Sequence, residues 1–97
     1  MFSPDGFEWD ERKAHFNLVK HGLSFFSGAQ AFDDPDRVEW DVSRALDSES
    51  RWKVVGRVEG VLIVVVFTMR GGPCRIISVR RVNTPEERRY GDRSLQS

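Results

Sequence analysis

The 97-residue sequence predicts an α+β fold, with helices packed on one mostly antiparallel sheet in the order β-α-α-β-β-β-α. Three observations predict it. Residues 51–82 read as three consecutive strands joined at Glu59-Gly60 and at Arg70-Gly71-Gly72-Pro73. Two helical segments with their own capping residues precede this meander, and Thr84-Pro85-Glu86-Glu87 starts a helix after it. A chain of this length holds one hydrophobic core, so residues 1–97 are read as a single domain, frayed over 1–6 and 91–97.

Phe7-Glu8-Trp9 reads as a short first strand. Asp10 offers the N-cap oxygen of a helix, and Glu11 puts an acid in its first turn. The helix should run from Glu11 to about His21, where Lys20-His21 meet the negative end of the dipole and Gly22 supplies the left-handed stop. Ser24 caps a second helix, whose Phe25, Ala29 and Phe32 form one apolar stripe until Asp33-Asp34-Pro35-Asp36 ends it. Arg37 to Trp40 is a short extended piece, and Asp41 to Ser50 a patternless loop. From Arg51 the period becomes two, with Trp52, Val54 and Val58 alternating against Lys53, Val55 and Arg57. Val61–Phe67 is apolar on both faces and so belongs at the centre of the sheet. The last helix takes Thr84 as cap, Pro85 at its first position and Glu87 to close a capping box, and ends near Tyr90.

The formal net charge is zero, which excludes a globally basic nucleic-acid binder. The charge is nevertheless divided. Acids crowd residues 33–49, whereas Arg70, Arg75, Arg80, Arg81, Arg88, Arg89 and Arg93 crowd the last third. The single cysteine, Cys74, excludes an internal disulfide and a cysteine-based zinc site, and no metal or other cofactor is expected. The first residues lack the basic and apolar regions of a secretory signal, and the apolar run falls well short of a membrane span, so a cytoplasmic protein without a membrane partner is expected.

Arg75-Ile76-Ile77-Ser78-Val79-Arg80-Arg81 is the most informative stretch. A guanidinium presents five donors in a rigid fork and stays charged, which suits it to phosphate. Simple alternation turns Arg75, Ile77, Val79 and Arg81 to one face and Ile76, Ser78, Arg80 and Val82 to the other. Arg80, beside the Ser78 hydroxyl, is then the functional arginine; the competing reading pairs both terminal arginines with carboxylates such as Glu86 and Glu87. Lys20 and His21 complement the helix dipole in any case, although a histidine there also suits proton transfer. Arg51 and Lys53 face with Arg57 and extend a positive stripe. Tyr90 either stacks on a base or closes the core edge.

Trp9-Asp10, Lys13, Asn17 and Lys20-His21-Gly22 resemble the W-D-x-x-K-x-x-x-N-x-x-K-H-G opening of the BrnT family of type II toxin–antitoxin toxins. Phe32-Asp33-Asp34-Pro35, Glu49-x-Arg51-Trp52 with Gly56, and Arg75-Ile76-Ile77-Ser78-x-Arg80-Arg81 with Glu87-Arg88 and Tyr90 resemble its later segments. The resemblance covers about residues 7 to 90. It implies a RelE-like fold and a growth-inhibiting, metal-independent endoribonuclease. It also implies a BrnA-type antitoxin that forms a hetero-oligomer with the toxin and carries it to operator DNA. Carried over by position, it implies Lys20, His21, Glu49, Arg51, Arg57 and Arg80 as catalytic candidates, with Arg81 and Tyr90 as RNA contacts; Arg75, on the same strand, is a further RNA-binding candidate.

The chemistry expected is attack of a ribose 2′-OH on the adjacent phosphorus. Arg80 with Arg51 or Arg57 would stabilise charge, and Glu49 or His21 would carry protons. The alternatives are a non-catalytic nucleic-acid-binding module and a domain that docks an acidic partner on the same arginines.

Overall fold

Residues 6–69 and 71–96 are described in the computed structural model. Strand β1 (Phe7–Glu8) leads into helix α1 (Glu11–His21) and helix α2 (Phe25–Gln30), which tightens into a 3₁₀ turn over Ala31–Asp33. Strands β2 (Val38–Asp41), β3 (Trp52–Val58), β4 (Val61–Met69) and β5 (Cys74–Arg81) follow, and helix α3 (Thr84–Gln96) closes the chain. The five strands form one sheet in the order β1-β5-β4-β3-β2, so the apolar β4 is central as its composition requires. β1 runs parallel to β5 and every other pair is antiparallel.

The extended piece after Arg37 is a strand of the sheet, which corrects the expected order to β-α-α-β-β-β-β-α. Val38 and Trp40 pair with Val55 and Lys53. The hairpin turn Glu59-Gly60 has both residues at positive φ, 50° and 80°, as a two-residue turn matched to strand twist demands. Most of the expected fray over residues 1–6 falls outside the described residues, as does Arg70 of the second turn.

Local capping chemistry sets α1. The Asp10 carboxylate accepts the backbone N–H groups of Arg12 and Lys13 at 2.8 and 3.1 Å, and Gly22 ends the helix at φ 70°. Ser24 caps α2 through the N–H of Ser27. At α3 the cap is Asn83 rather than Thr84. Its side chain accepts the Glu86 N–H at 3.0 Å while the Glu86 carboxylate accepts the Asn83 N–H at 2.9 Å, so Glu86, and not Glu87, closes the box. The helix also runs past Tyr90 and Gly91 to Gln96.

Helices cover both sides of the sheet. Phe25, Ala31 and Phe32 from α2 and the 3₁₀ turn pack on Val54, Ile63, Val65, Phe67, Cys74, Ile76 and Val79. Phe32 meets Phe67 edge-on, with ring centroids 5.0 Å apart. On the opposite side α3 lays Tyr90 against Val55 and Val64, with Val38, Trp40 and Leu62 around them. Arg89 stacks its guanidinium 4.3 Å from the centre of the Trp40 ring, tying α3 to β2. On the α2 side, Gly56 lets the 3₁₀ turn approach β3: a Cβ there would stand 2.5 Å from the carbonyl oxygen of Ala31.

One buried polar residue joins α1 to the sheet. β1 pairs with β5 only at Cys74 and Arg75, leaving the rest of that edge without a strand partner. The Asn17 side chain fills the place of one. Its amide nitrogen donates to the carbonyls of Val79 (2.7 Å) and Leu23 (2.9 Å), and its oxygen accepts the Val79 N–H (3.0 Å). This is the edge of a β-ladder completed by a side chain, and it fixes α1 beside β5.

Candidate functional site

Strand β5 carries an irregularity that decides which side chains meet. Val66 pairs with Ser78 and Phe67 with Ile76, so Ile77 is an extra residue, a β-bulge. The bulge reverses the alternation expected for the strand. Arg75 lies opposite Thr68, Ser78 opposite Val66 and Arg80 opposite Val64, which puts these three on the α3 side of the sheet. Arg81 pairs with Ile63 and faces the other way with Val79. Arg75 therefore shares a face with Arg80 and not with Arg81, a correction that removes Arg81 from the site.

Across the central strand, Lys53 pairs with Val66, and by alternation Arg51 continues on its side. By register, the part of this face beyond α3 runs as a groove between two rows of side chains, Arg51 and Lys53 on β3 and Arg75, Ser78 and Arg80 on β5. Val66 lies between the rows, and Thr68 on the same face is buried at 1% exposure. The walls are two strand spacings apart, roughly 10 Å.

Glu86 bridges the groove at the α3 end. It is 3% exposed, accepts both terminal nitrogens of Arg80 at 2.8 Å and accepts Lys53 Nζ at 2.9 Å. Burial pushes its carboxyl up, but the paired bonds from Arg80, the Asn83 N–H and the Lys53 ammonium outweigh that and bring it down to about 2. Glu86 stays ionised at any working pH and cannot take up a proton. Arg80 is thus paired with an internal acid, as the competing sequence reading had it, while its side chain remains about 30% exposed. A bidentate guanidinium held this way has a fixed direction and keeps donors for a second anion.

The other groove cations are held more loosely. Arg51 Nε is 3.9 Å from Asp47, and an Arg75 nitrogen is 3.9 Å from Glu8. Arg51 Nε and the Thr68 hydroxyl are buried without a hydrogen-bond partner. Glu49 lies half-buried in the loop before β3.

Arg57 and Tyr90 belong elsewhere. Tyr90 is 7% exposed, and its hydroxyl donates to Asp34 at 2.8 Å, while the Arg57 guanidinium lies 5.6 Å from its ring centre. Tyr90 thus closes the core edge and has no face free for a base. Asp34 also accepts the N–H groups of Arg57 (2.7 Å) and Asp36 (2.9 Å). Burial raises the Asp34 carboxyl, but these donors together hold it below the usual carboxylate range.

Lys20 and His21 line a separate cleft of about 350 Å³ between α1 and β5. Arg12 and Lys13 also line it, and Phe16 and Ile77 supply its apolar surface. Ser78 belongs to the lining of this cleft and also to the groove wall, so the two adjoin at that residue. Arg80 follows Ser78 on the same side of the strand at roughly 7 Å.

The structure therefore brings Arg51, Arg75 and Arg80 to one groove, sets Lys20 and His21 beside it, and leaves Arg57, Arg81 and Tyr90 out. Sequence reading passed over Glu86, Arg12 and Phe16 as site residues. Glu86 could have been found as an acid three residues after a capping asparagine; the other two carry no local signal. The groove offers preorganised cations of fixed direction, an arrangement suited to a tetrahedral or pentacovalent oxyanion. Among the described residues no three His, Cys, Asp or Glu side chains gather as a metal site, and no helix is long and apolar enough to cross a membrane.

A family described as "Ribonuclease toxin, BrnT, of type II toxin-antitoxin system" matches residues 9–86. No curated protein matches the chain.

Proposed function

This chain belongs to the BrnT family of ribonuclease toxins of type II toxin–antitoxin systems, and from that premise we propose that the groove between β3 and β5 is where it cuts RNA. The observation that carries this reading is the pair of cations, Arg80 and Lys53, fixed on Glu86 while their own side chains stay partly exposed.

The reaction is transfer of the phosphodiester to its own ribose. The 2′ oxygen attacks phosphorus as its proton leaves to a base. A phosphorane with one more negative charge forms, and the 5′ oxygen departs as it gains a proton, leaving a 2′,3′-cyclic phosphate. Arg80 and Lys53, with Arg51 at the far end of the wall, meet the added charge without a metal ion. Glu86 holds them in place and takes no proton. His21, across Ser78 in the adjoining cleft, is the proton carrier, because imidazole is the side chain that exchanges protons near neutral pH. The platform is RelE-like in this reading, and the inhibitor is a BrnA-type antitoxin that covers the cations with its own acids.

The test uses the purified chain with single-stranded RNA in EDTA. Products ending in 2′,3′-cyclic phosphate and 5′-hydroxyl are expected, and a single 2′-deoxy sugar at the cut should abolish scission there. Cleavage that requires added magnesium, or that leaves 5′-phosphate ends, contradicts the mechanism.

A further inference from the structure

Phe16 lines the α1–β5 cleft and is 68% exposed. Exposure alone does not set this ring apart, since Phe26 and Val19 are as open; its place in a cationic cleft does. Its surroundings specify a partner. Arg12 and Lys13 stand one helical turn before it, and Lys20 and His21 one turn after; Arg12 and Lys20 are separated by about 12 Å along the axis. Among the described residues no carboxylate lines the cleft. Its other polar residues are Ser78 and Asn17, and the Asn17 amide is committed to Val79 and Leu23.

We propose that this cleft is a nucleobase-stacking subsite, in which Phe16 takes the base of a nucleotide flanking the scissile one while Arg12, Lys13 and Lys20 hold the phosphates on either side. An aromatic platform inside a cationic track is how single strands are bound without reading their sequence. The position fits, because Ser78 lines the cleft and stands next to Arg80 on the same side of β5, so the cleft adjoins the place proposed for the scissile phosphate. An amphipathic partner helix fits less well. It needs a row of apolar contacts, and among the described residues lining the cleft Phe16 and Ile77 are the apolar ones, with four cationic or imidazole side chains around them. The subsite rests on the ribonuclease reading above.

The test measures binding of a single-stranded 2′-O-methyl RNA, which lacks the attacking hydroxyl, beside cleavage of ordinary RNA. Phe16→Ala should raise Kd roughly 5- to 100-fold with the salt dependence of binding unchanged, the range expected for one lost stack. Phe16→Leu should recover little, Phe16→Trp should bind as well as wild type, and Leu18→Ala, on another flank of α1, should leave binding intact. Arg12→Ala should lower the salt slope by about 0.7, one phosphate contact fewer. Wild type that cleaves RNA while Phe16→Ala binds and cuts equally well overturns the subsite alone. Phe16→Leu binding like wild type reduces it to an apolar contact and overturns stacking. Loss of antitoxin affinity in Phe16→Ala with RNA binding untouched gives the cleft to the protein partner instead. A wild-type chain that neither binds nor cuts RNA removes the ribonuclease reading and the subsite with it.

Discussion

Two groups of cations flank β5, and they differ in how they are held. In the groove, Arg80 and Lys53 are locked on one buried carboxylate. In the cleft, Arg12, Lys13 and Lys20 are exposed side chains on one helix, with no acid among the described residues of the lining. The difference separates two jobs that a positive surface can do. Fixed cations cost no reorganisation when charge develops, so they act on rate. Loose cations exchange their counterions for phosphates, so they act on affinity and make it depend on salt.

The comparison breaks first at Arg80. Arg80→Ala should lower the cleavage rate at saturating RNA by about 10²–10³-fold, the scale for losing a preorganised donor, while single-turnover measurements show a much smaller change in Kd. Lys20→Ala should do the reverse, weakening binding and flattening its salt dependence with little loss of maximal rate. If both variants lose rate equally, the division between groove and cleft is wrong.

Stability sharpens it next. Glu86→Gln removes the buried charge between two cations and should cost up to about 3 kcal/mol in denaturant unfolding. Asn17→Ala leaves the Val79 backbone and the Leu23 carbonyl without partners and should cost about 2 kcal/mol. A smaller effect is pH-dependent. The Glu86 carboxyl lies near 2 in the folded chain against an ordinary 4.5, so its stabilisation is complete above about 4.5 and is lost as pH falls towards 2. Thermal melts of wild type should therefore steepen their fall across that interval, and Glu86→Gln should show a shallower one.

What the sequence disclosed follows the range of the forces involved. α1 was legible to the residue, because Asp10 and Gly22 act within one turn of the chain. The α3 cap was misplaced by one residue, since Asn83 and Thr84 are both capping types and Glu86 and Glu87 are both acids. Only contact with Lys53 and Arg80 distinguishes them. β2 was seen as extended chain but not as part of the sheet, for its four residues gain strand character from pairing with β3. The bulge at Ile77 left no trace among adjacent isoleucines, and it inverted the expected partners of Arg75 and Arg81. Asn17 was visible as a motif residue, but its role depends on Val79, 62 positions away.

The fixed geometry of the groove is tested most directly by Glu86→Gln, which keeps Arg80 and Lys53 but removes the charge and one of the two acceptor oxygens that hold them. Single-turnover cleavage at saturating RNA in EDTA, well below the melting temperature of either protein, should fall roughly 10- to 100-fold, as small misplacements of catalytic groups do. A Glu86→Gln rate equal to or above wild type would contradict it.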